Sequence, residues 1–138
     1  MQALVLQDRQ LHYRENHPKP APGRGEVLIR VSLAGICSTD LEIVKGYGAL
    51  EGVLGHEFVG VVEAVGPETD GEWLSKRVVG TINVGCQACS VCLADGAEHC
   101  PNRTTVGING RDGIFATYVT LPAANLLEVP ANVTDEAA

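Results

Sequence analysis

Residues 85–100 read GCQACSVCLADGAEHC and contain four of the five cysteines of the chain. These four, Cys86, Cys89, Cys92 and Cys100, follow the spacing C-x2-C-x2-C-x7-C. Short turns at this spacing can bring four sulfurs onto one ion, and four thiolates at about 2.3 Å form the closed tetrahedron of a structural zinc site. The stretch has too few apolar residues to fold on a core of its own. We therefore predict a zinc-stabilised lobe at about residues 84–107.

Two other uses of these cysteines are open, a redox pair and a pair of disulfides. A redox pair of the thioredoxin type lies between a strand and a helix, and no helical pattern follows Cys92. Two disulfides are typical of a secreted chain. The first six residues, Met1–Leu6, lack the basic flank of a signal peptide. Both observations favour the metal site.

The composition indicates one globular domain rich in turns. The chain has 138 residues, of which 45% are apolar, with 16 glycines and 7 prolines. Its net charge of −7 and its ten scattered basic residues count against nucleic-acid binding, which clustered Lys and Arg drive. No apolar run approaches the roughly 20 residues of a membrane span. Free thiols beside a metal site are typical of a reducing cytoplasm.

Short alternating apolar runs, separated by Gly and Pro, predict a mainly β fold, either a barrel or a sandwich, with the metal lobe as an insertion. The clearest run is 26–34, in which Val27, Ile29, Val31 and Leu33 share one face. The other predicted strands are 2–7, 11–15, 58–65, 77–80, 115–121 and 126–129.

Two helix starts are predicted outside the lobe. Ser38 or Thr39 can cap a short helix that runs through Lys45. Thr134 can cap a second one, since the acidic residues after it suit the positive end of a helix dipole. About one turn is too short to be stable alone. We therefore expect Ala138 to lie inside a longer protein.

A second group of potential metal ligands is separated in the sequence. Cys37 ends a predicted strand, and His56 comes just before another, so both can meet at the rim of the fold. A thiolate and an imidazole are two of the three protein ligands of a catalytic zinc. Glu57 is a further candidate ligand or a neighbour, and Asp40 can accept the other ring N–H of His56. On chemistry alone, a buried cysteine and a surface histidine remain the other interpretation.

Together the two constellations resemble the N-terminal catalytic domain of the medium-chain, zinc-dependent alcohol dehydrogenases, a GroES-like β-barrel. The resemblance covers nearly all of residues 1–138, and its motifs are highly specific in this order and spacing. The matching segments are Pro22-Gly23 through Glu26-Val27, Gly35–Asp40, Gly55–Glu57 with Gly60, Val65-Gly66, the four-cysteine lobe and Gly113–Tyr118.

The resemblance implies a role for each site residue. Cys37 and His56 would bind a catalytic zinc, with Glu57 as a ligand or exchanging with water. Asp40 would support His56, and Thr39 would stand where the family has a hydroxyl that takes the alcohol proton. The four cysteines of the lobe would bind the structural zinc.

The implied reaction is hydride transfer between an alcohol, polyol or sugar and NAD(P), with zinc lowering the pKa of the substrate hydroxyl. Glu42 stands where many members carry a histidine that passes the proton outward, so a relay through Glu42 is a hypothesis. The stretch Cys37–Val44 is most similar to the sugar (glucose) dehydrogenases of the family, which favours a polyol or aldose substrate.

The resemblance also implies that the nucleotide-binding Rossmann domain is absent from these residues. No G-x-G-x-x-G follows a strand in the sequence, and a further zinc ligand of the family, Cys or Glu, comes from beyond residue 138. We therefore expect a chain that is inactive alone, with an occupied structural site and an under-coordinated catalytic one. Family members are commonly dimers or tetramers, through contacts that lie largely in the absent domain.

Two other functions compete with this one. A free-standing, zinc-stabilised binding module would fold and recruit a partner without catalysis. A zinc-ribbon nucleic-acid binder would need a basic surface, and a pI near 5.0 counts against it. The sequence leaves open the substrate, the choice between NAD and NADP, and the oligomeric state.

Overall fold

A computed structural model describes residues 1–48, 50–94 and 96–138. Within these ranges, two short α-helices, α1 (Ser38–Val44) and α2 (Ser90–Leu93), accompany eleven strands. No helix in the described ranges combines the length and the apolar character needed to cross a membrane. The strands are β1 (Ala3–Gln7), β2 (Gln10–Arg14), β3 (Glu26–Gly35), β4 (Gly52–Val53), β5 (Glu57–Val65), β6 (Arg77–Gly80), β7 (Asn83–Val84), β8 (Thr104–Val106), β9 (Gly110–Arg111), β10 (Tyr118–Pro122) and β11 (Leu126–Glu128).

The strands form three sheets. The central sheet is antiparallel and has the order β10-β3-β5-β6-β11, while the order is β2-β1-β4 in the second sheet and β7-β8-β9 in the third. A bridge between Ala3 and Ala116 and a hydrogen bond from the Leu4 N–H to the Phe115 carbonyl (2.8 Å) join the segment before β10 to β1. The predicted mainly β fold is confirmed, although the pairings among the described residues form three sheets rather than one closed ladder.

The core lies between these sheets and holds helix α1 in place. The main cluster of buried side chains is drawn from all five strands of the central sheet and from the segments beside it. A smaller cluster packs Ile43 of α1 against Leu6, Leu50 and Leu54. Because Ile43 is buried against β1 and the segment after α1, the helix has a defined position over the sheet edge.

The predicted period-2 face of β3 is wrong in its second half. Val27, Leu28 and Ile29 are all buried, whereas Leu33 keeps 42% of its surface exposed. The pairing of β3 with β5 shifts register between Leu28 and Ile29 and again between Val31 and Leu33. Each β-bulge turns the following side chains toward another face, which a strict alternation does not anticipate.

Helix α1 starts one residue earlier than the predicted caps. Its N-cap is Cys37, whose Sγ accepts a hydrogen bond from the Thr39 N–H at 3.3 Å. In return, Asp40 Oδ2 accepts the Cys37 N–H at 2.9 Å, which completes a capping box. The cap is therefore neither Ser38 nor Thr39. The Cys37 sulfur takes the place of the usual Ser or Thr hydroxyl, and the Asp40 carboxylate takes the place of the usual Glu or Gln side chain.

The C-terminal residues form a 3-10 turn, Asp135–Ala137, rather than an α-helix. Arg77 holds this segment against the sheet, since its Nη1 lies 2.9 Å from Asp135 Oδ1 and its Nη2 donates to the Pro130 carbonyl at 2.8 Å. The same guanidinium also donates to the Val133 carbonyl.

We predict that Gly66→Ala lowers the free energy of unfolding by about 1–3 kcal/mol. A Cβ at Gly66 would overlap the carbonyl oxygen of Gly23, which is backbone and cannot rotate away. Gly71→Ala is the matched control, because a Cβ at Gly71 would have no other atom within 4 Å, and its effect should stay within about 0.5 kcal/mol. Urea denaturation of both variants measures the difference; equal stabilities would contradict the predicted close approach.

Candidate metal centres

The four-cysteine lobe lies between β7 and β8 and has no hydrophobic core. No described residue between Val84 and Thr104 belongs to the buried clusters of the fold. Its regular structure is limited to α2 and a 3-10 turn, Ala97–His99. Packing alone therefore gives the lobe little stability, and another interaction must hold it together.

The four sulfurs of the lobe have the spacing of a tetrahedral metal site. All four Sγ atoms lie within 4.8 Å of one another, and the separations are 4.0 Å for Cys86 and Cys92 and 3.8 Å for Cys89 and Cys100. A tetrahedron with metal–sulfur bonds of about 2.3 Å has edges of about 3.8 Å. A disulfide requires about 2.05 Å, and all four cysteines are free. The geometry fits one zinc-sized ion.

The pKa values of two of these thiols are shifted in opposite directions. Backbone N–H groups of Ala88 and Cys89 lower the pKa of Cys86 to about 6. Desolvation raises the pKa of Cys92 to about 12. A divalent cation favours the thiolate at every ligand. Backbone N–H groups also donate to two further sulfurs, from Cys86 to Cys100 Sγ at 3.4 Å and from Cys92 to Cys89 Sγ at 3.5 Å.

The second group of ligands is assembled by the pairing of two strands. β3 and β5 are antiparallel, and Gly35 at the end of β3 lies opposite Glu57 at the start of β5. Cys37 follows the first strand and His56 precedes the second, so the register places both residues at the same sheet edge. Together with Asp40, they offer ligand atoms that all lie within 4.8 Å of one another.

Asp40 and His56 form a buried polar pair. Their side chains are 4% and 6% exposed, and Asp40 Oδ1 lies 3.4 Å from His56 Nδ1. The two atoms are close, yet neither has a hydrogen-bond partner of good geometry in the described residues. A cation on the imidazole would favour the tautomer that carries its proton toward Asp40. A thiol and an imidazole, with a carboxylate behind the imidazole ring, therefore fit zinc.

The backbone before His56 is constrained by close contacts. Gly55 has a φ of 92° and its carbonyl accepts the Ile114 N–H at 3.0 Å. A Cβ there would meet the ring of Phe115 at 2.5 Å. The close approach of the Phe115 ring to Gly55 was not predicted from the sequence. The glycine before the histidine was the available signal, but its partner is 60 positions away in the chain.

The structure does not bring the two predicted glutamates to this cluster. The Glu57 carboxylate lies beside Gly35, where a Cβ would be 2.8 Å from its Oε2. Glu42 is 57% exposed and pairs with Lys45 at 2.8 Å. Thr39 is half-buried and follows Cys37 in the first turn of α1, where its N–H contacts the sulfur.

Comparisons with known proteins show that the chain is similar to dehydrogenases. Residues 23–131 match the family described as alcohol dehydrogenase GroES-like domain. An L-threonine 3-dehydrogenase from Marinomonas sp. (strain MWYL1) is 36% identical over 127 residues, which are 88% of this chain and 37% of that protein. The chain thus spans little more than a third of the length of the curated relatives it matches.

Two solved structures have the same fold over nearly the whole chain. An alcohol dehydrogenase from E. coli CFT073, complexed with NADH, superposes with a TM-score of 0.91 at 34% identity and covers 100% of this chain and 41% of that one. Galactitol-1-phosphate dehydrogenase from Escherichia coli gives 0.85 at 27% identity, covering 99% and 40%.

We predict that Cys89→Ser unfolds the lobe but leaves the central sheet paired. The lobe has no core to replace a lost ligand, whereas the core of the sheet contains none of its residues. Hydrogen exchange should show loss of protection for residues 86–94 and 96–100, with β3 and β5 still protected. Ser90→Ala, one residue away, is the control and should keep both regions protected. Exchange throughout β3 and β5 in Cys89→Ser would contradict an independent lobe.

Proposed function

The chain belongs to the alcohol dehydrogenase GroES-like domain family, and on this premise we propose that it is the catalytic-domain portion of a zinc-dependent oxidoreductase. The reaction is hydride transfer between NAD(P) and an alcohol, polyol or sugar. The observation that carries the proposal is the convergence of Cys37, Asp40 and His56 at one sheet edge. The resemblance to an NADH-bound alcohol dehydrogenase supports the nicotinamide cofactor.

Cys37 and His56 are the proposed protein ligands of the catalytic zinc, which when bound supplies a Lewis acid that lowers the pKa of a hydroxyl group. Asp40 acts on both ligands. Its Oδ2 holds the Cys37 backbone at 2.9 Å, and its Oδ1 faces the imidazole of His56 at 3.4 Å. The carboxylate thus orients the thiolate and the ring toward the same point.

Thr39 is the proposed acceptor of the substrate proton, because it lies in the first turn of α1 beside Cys37. Glu42 is the proposed next group of the relay, since it lies about one helical turn further along α1. Its exposed carboxylate can pass a proton to solvent, and its ion pair with Lys45 holds the side chain on the outer face of the helix. Glu57 remains a proposed ligand, but its side chain would have to turn away from Gly35 to reach the zinc.

Cys86, Cys89, Cys92 and Cys100 are the proposed ligands of the structural zinc. All five cysteines of the chain are free, and thiols that bind metal persist in a reducing cytoplasm, where we expect the protein to act. No residue of the chain forms a G-x-G-x-x-G turn after a strand, so we assign none of its residues to NAD(P). We propose that catalysis needs the nucleotide-binding part found in longer family members, and that the chain alone is inactive.

The proposed substrate is a small hydroxyl-bearing compound, an alcohol, polyol or sugar. The relatives include L-threonine 3-dehydrogenases, and the structural neighbours include galactitol-1-phosphate dehydrogenase. Both names describe hydroxyl-bearing compounds, the first an amino acid and the second a phosphorylated polyol. The sugar-like motif Cys37–Val44 favours a polyol. A binding module without catalysis would have no need of a thiol, an imidazole and a carboxylate gathered at one sheet edge.

We predict about one tightly bound zinc per 138-residue chain. The lobe offers four thiols, whereas Cys37 and His56 offer two side-chain ligands without Glu57. Metal analysis after dialysis should give this content in the wild type and in Cys37→Ser, and none in Cys89→Ser. A second zinc that disappears in Cys37→Ser would show that the ligands of the second site suffice.

The activity is tested by joining residues 1–138 to the remaining part of the Marinomonas L-threonine 3-dehydrogenase. NAD⁺ reduction is measured with L-threonine, galactitol 1-phosphate, polyols and aldoses. We expect turnover of one of these alcohols, and loss of at least about 100-fold in Cys37→Ser and His56→Ala because the metal site is lost. His99→Ala, an exposed histidine of the lobe, is the control and should retain activity.

The fused protein must first be shown to bind NADH and two zinc ions. If it does both and turns over none of these alcohols, the proposed reaction is wrong. If it fails to bind NADH, the fusion is rebuilt at another junction within 131–138 before the assay is repeated.

A further inference from the structure

A cavity lies between the four-cysteine lobe and the main sheet. Its volume is about 490 Å³, within the range of about 300–1,000 Å³ of small-molecule sites. One wall is the segment that leads through β7, and the other is the lobe, with Gln87, Cys92 and Ala97. None of its lining residues belongs to the Cys37, Asp40 and His56 cluster, so it is separate from the proposed catalytic centre.

The floor of the cavity is a buried amide with one unused oxygen. Asn125 is 8% exposed, and its Nδ2 donates to the Asn83 carbonyl and Thr81 Oγ1, both at 2.8 Å, and to the Thr81 carbonyl at 3.2 Å. No described residue donates to its Oδ1. This oxygen is also not among the fully enclosed side-chain atoms without a partner. It is therefore accessible to solvent, and Asn125 is one of the residues that line the cavity.

Asn83 and Glu98 add further acceptors to the lining, beside the donor groups of the Gln87 amide and the Thr81 hydroxyl. Asn83 Oδ1 receives only a long hydrogen bond, 3.4 Å from Thr105 Oγ1. Glu98 has a side chain that is about half exposed, and its Oε1 lies 3.8 Å from His99 Nε2. Arg103 uses its Nη1 on the Glu98 backbone carbonyl. A ligand that uses these acceptors brings N–H or O–H donors, and a positive charge on it would complement Glu98.

Another part of the lining is small and apolar. Gly85, Ala97 and Ala124 present no polar side-chain atom to the cavity. Methylene groups can pack on these residues while a charged end reaches the acceptors. We propose that the cavity binds a small organic ammonium ion, whose N–H groups bond to Asn125 Oδ1 and Asn83 Oδ1 beside the Glu98 carboxylate.

The test is titration of the zinc-loaded chain with 1,4-diaminobutane, followed by calorimetry and amide NMR. 1,4-Butanediol is the neutral match, with the same carbon chain and an O–H donor at each end but no charge. We expect saturable binding of the diamine, chemical-shift changes at Gln87, Glu98 and Asn125, and binding of the diol that is at least about tenfold weaker because charge-assisted hydrogen bonds are stronger.

Variants separate the cavity from the rest of the acidic surface. Ala124→Leu places a larger side chain at the exposed rim and should abolish diamine binding, whereas Ala94→Leu, on the exposed lobe outside the cavity, should not change it. Glu98→Gln should weaken binding about tenfold, and Glu15→Gln should leave it unchanged. Asn125 is not varied, because its amide holds Thr81 and Asn83 in place.

Three results would overturn the proposal. The first is no saturable diamine binding, and the second is equal binding of the diol, which would assign the cavity to a neutral polyol. The third is diamine binding that survives Ala124→Leu or falls equally in Glu15→Gln, which would assign the effect to the net charge of −7. These outcomes do not depend on catalysis, so they leave the proposed reaction untouched.

Discussion

The antiparallel pairing of β3 with β5 is the constraint on which the rest of the site depends. It is the longest strand pairing among the described residues, and it runs from Val27 opposite Val65 to Gly35 opposite Glu57. Residues 37 and 56 are far apart in the chain, and only this register brings them to one edge. The buried side chains of both strands hold the register, because slipping by one residue would turn each side chain to the other face.

The two candidate metal centres are assembled by different physical means. In the lobe, all four cysteines lie within 15 residues, so a few turns are enough to gather them, and an ion bound there would replace a missing core. At the sheet edge, the ligands come from separate elements, and the core beneath α1 and the two strands positions them first. We therefore expect the lobe to depend on metal for its structure and the sheet-edge cluster to keep its shape without one.

Asp40 couples the helix cap to the site. One oxygen completes the capping box of α1 and the other faces His56, so a single buried carboxylate fixes both the thiol and the imidazole. The same arrangement explains why Cys37 is the N-cap of α1. By contrast, Glu42 pairs with Lys45 at the surface, and Glu57 lies beside Gly35, away from the ligand cluster. The route of the proton is therefore the part of the proposed reaction on which the family resemblance and the structure agree least.

The sequence by itself determined what depends on short spacing: the four-cysteine lobe, the mainly β character and most strand positions. It also indicated the family, because the motifs of residues 22–118 occur in the right order. Tertiary structure alone decided the bulges in β3, the cap at Cys37, the direction of Glu57 and the free oxygen of Asn125. These depend on register and on contacts that periodicity and composition do not record, many of them between residues that lie tens of positions apart.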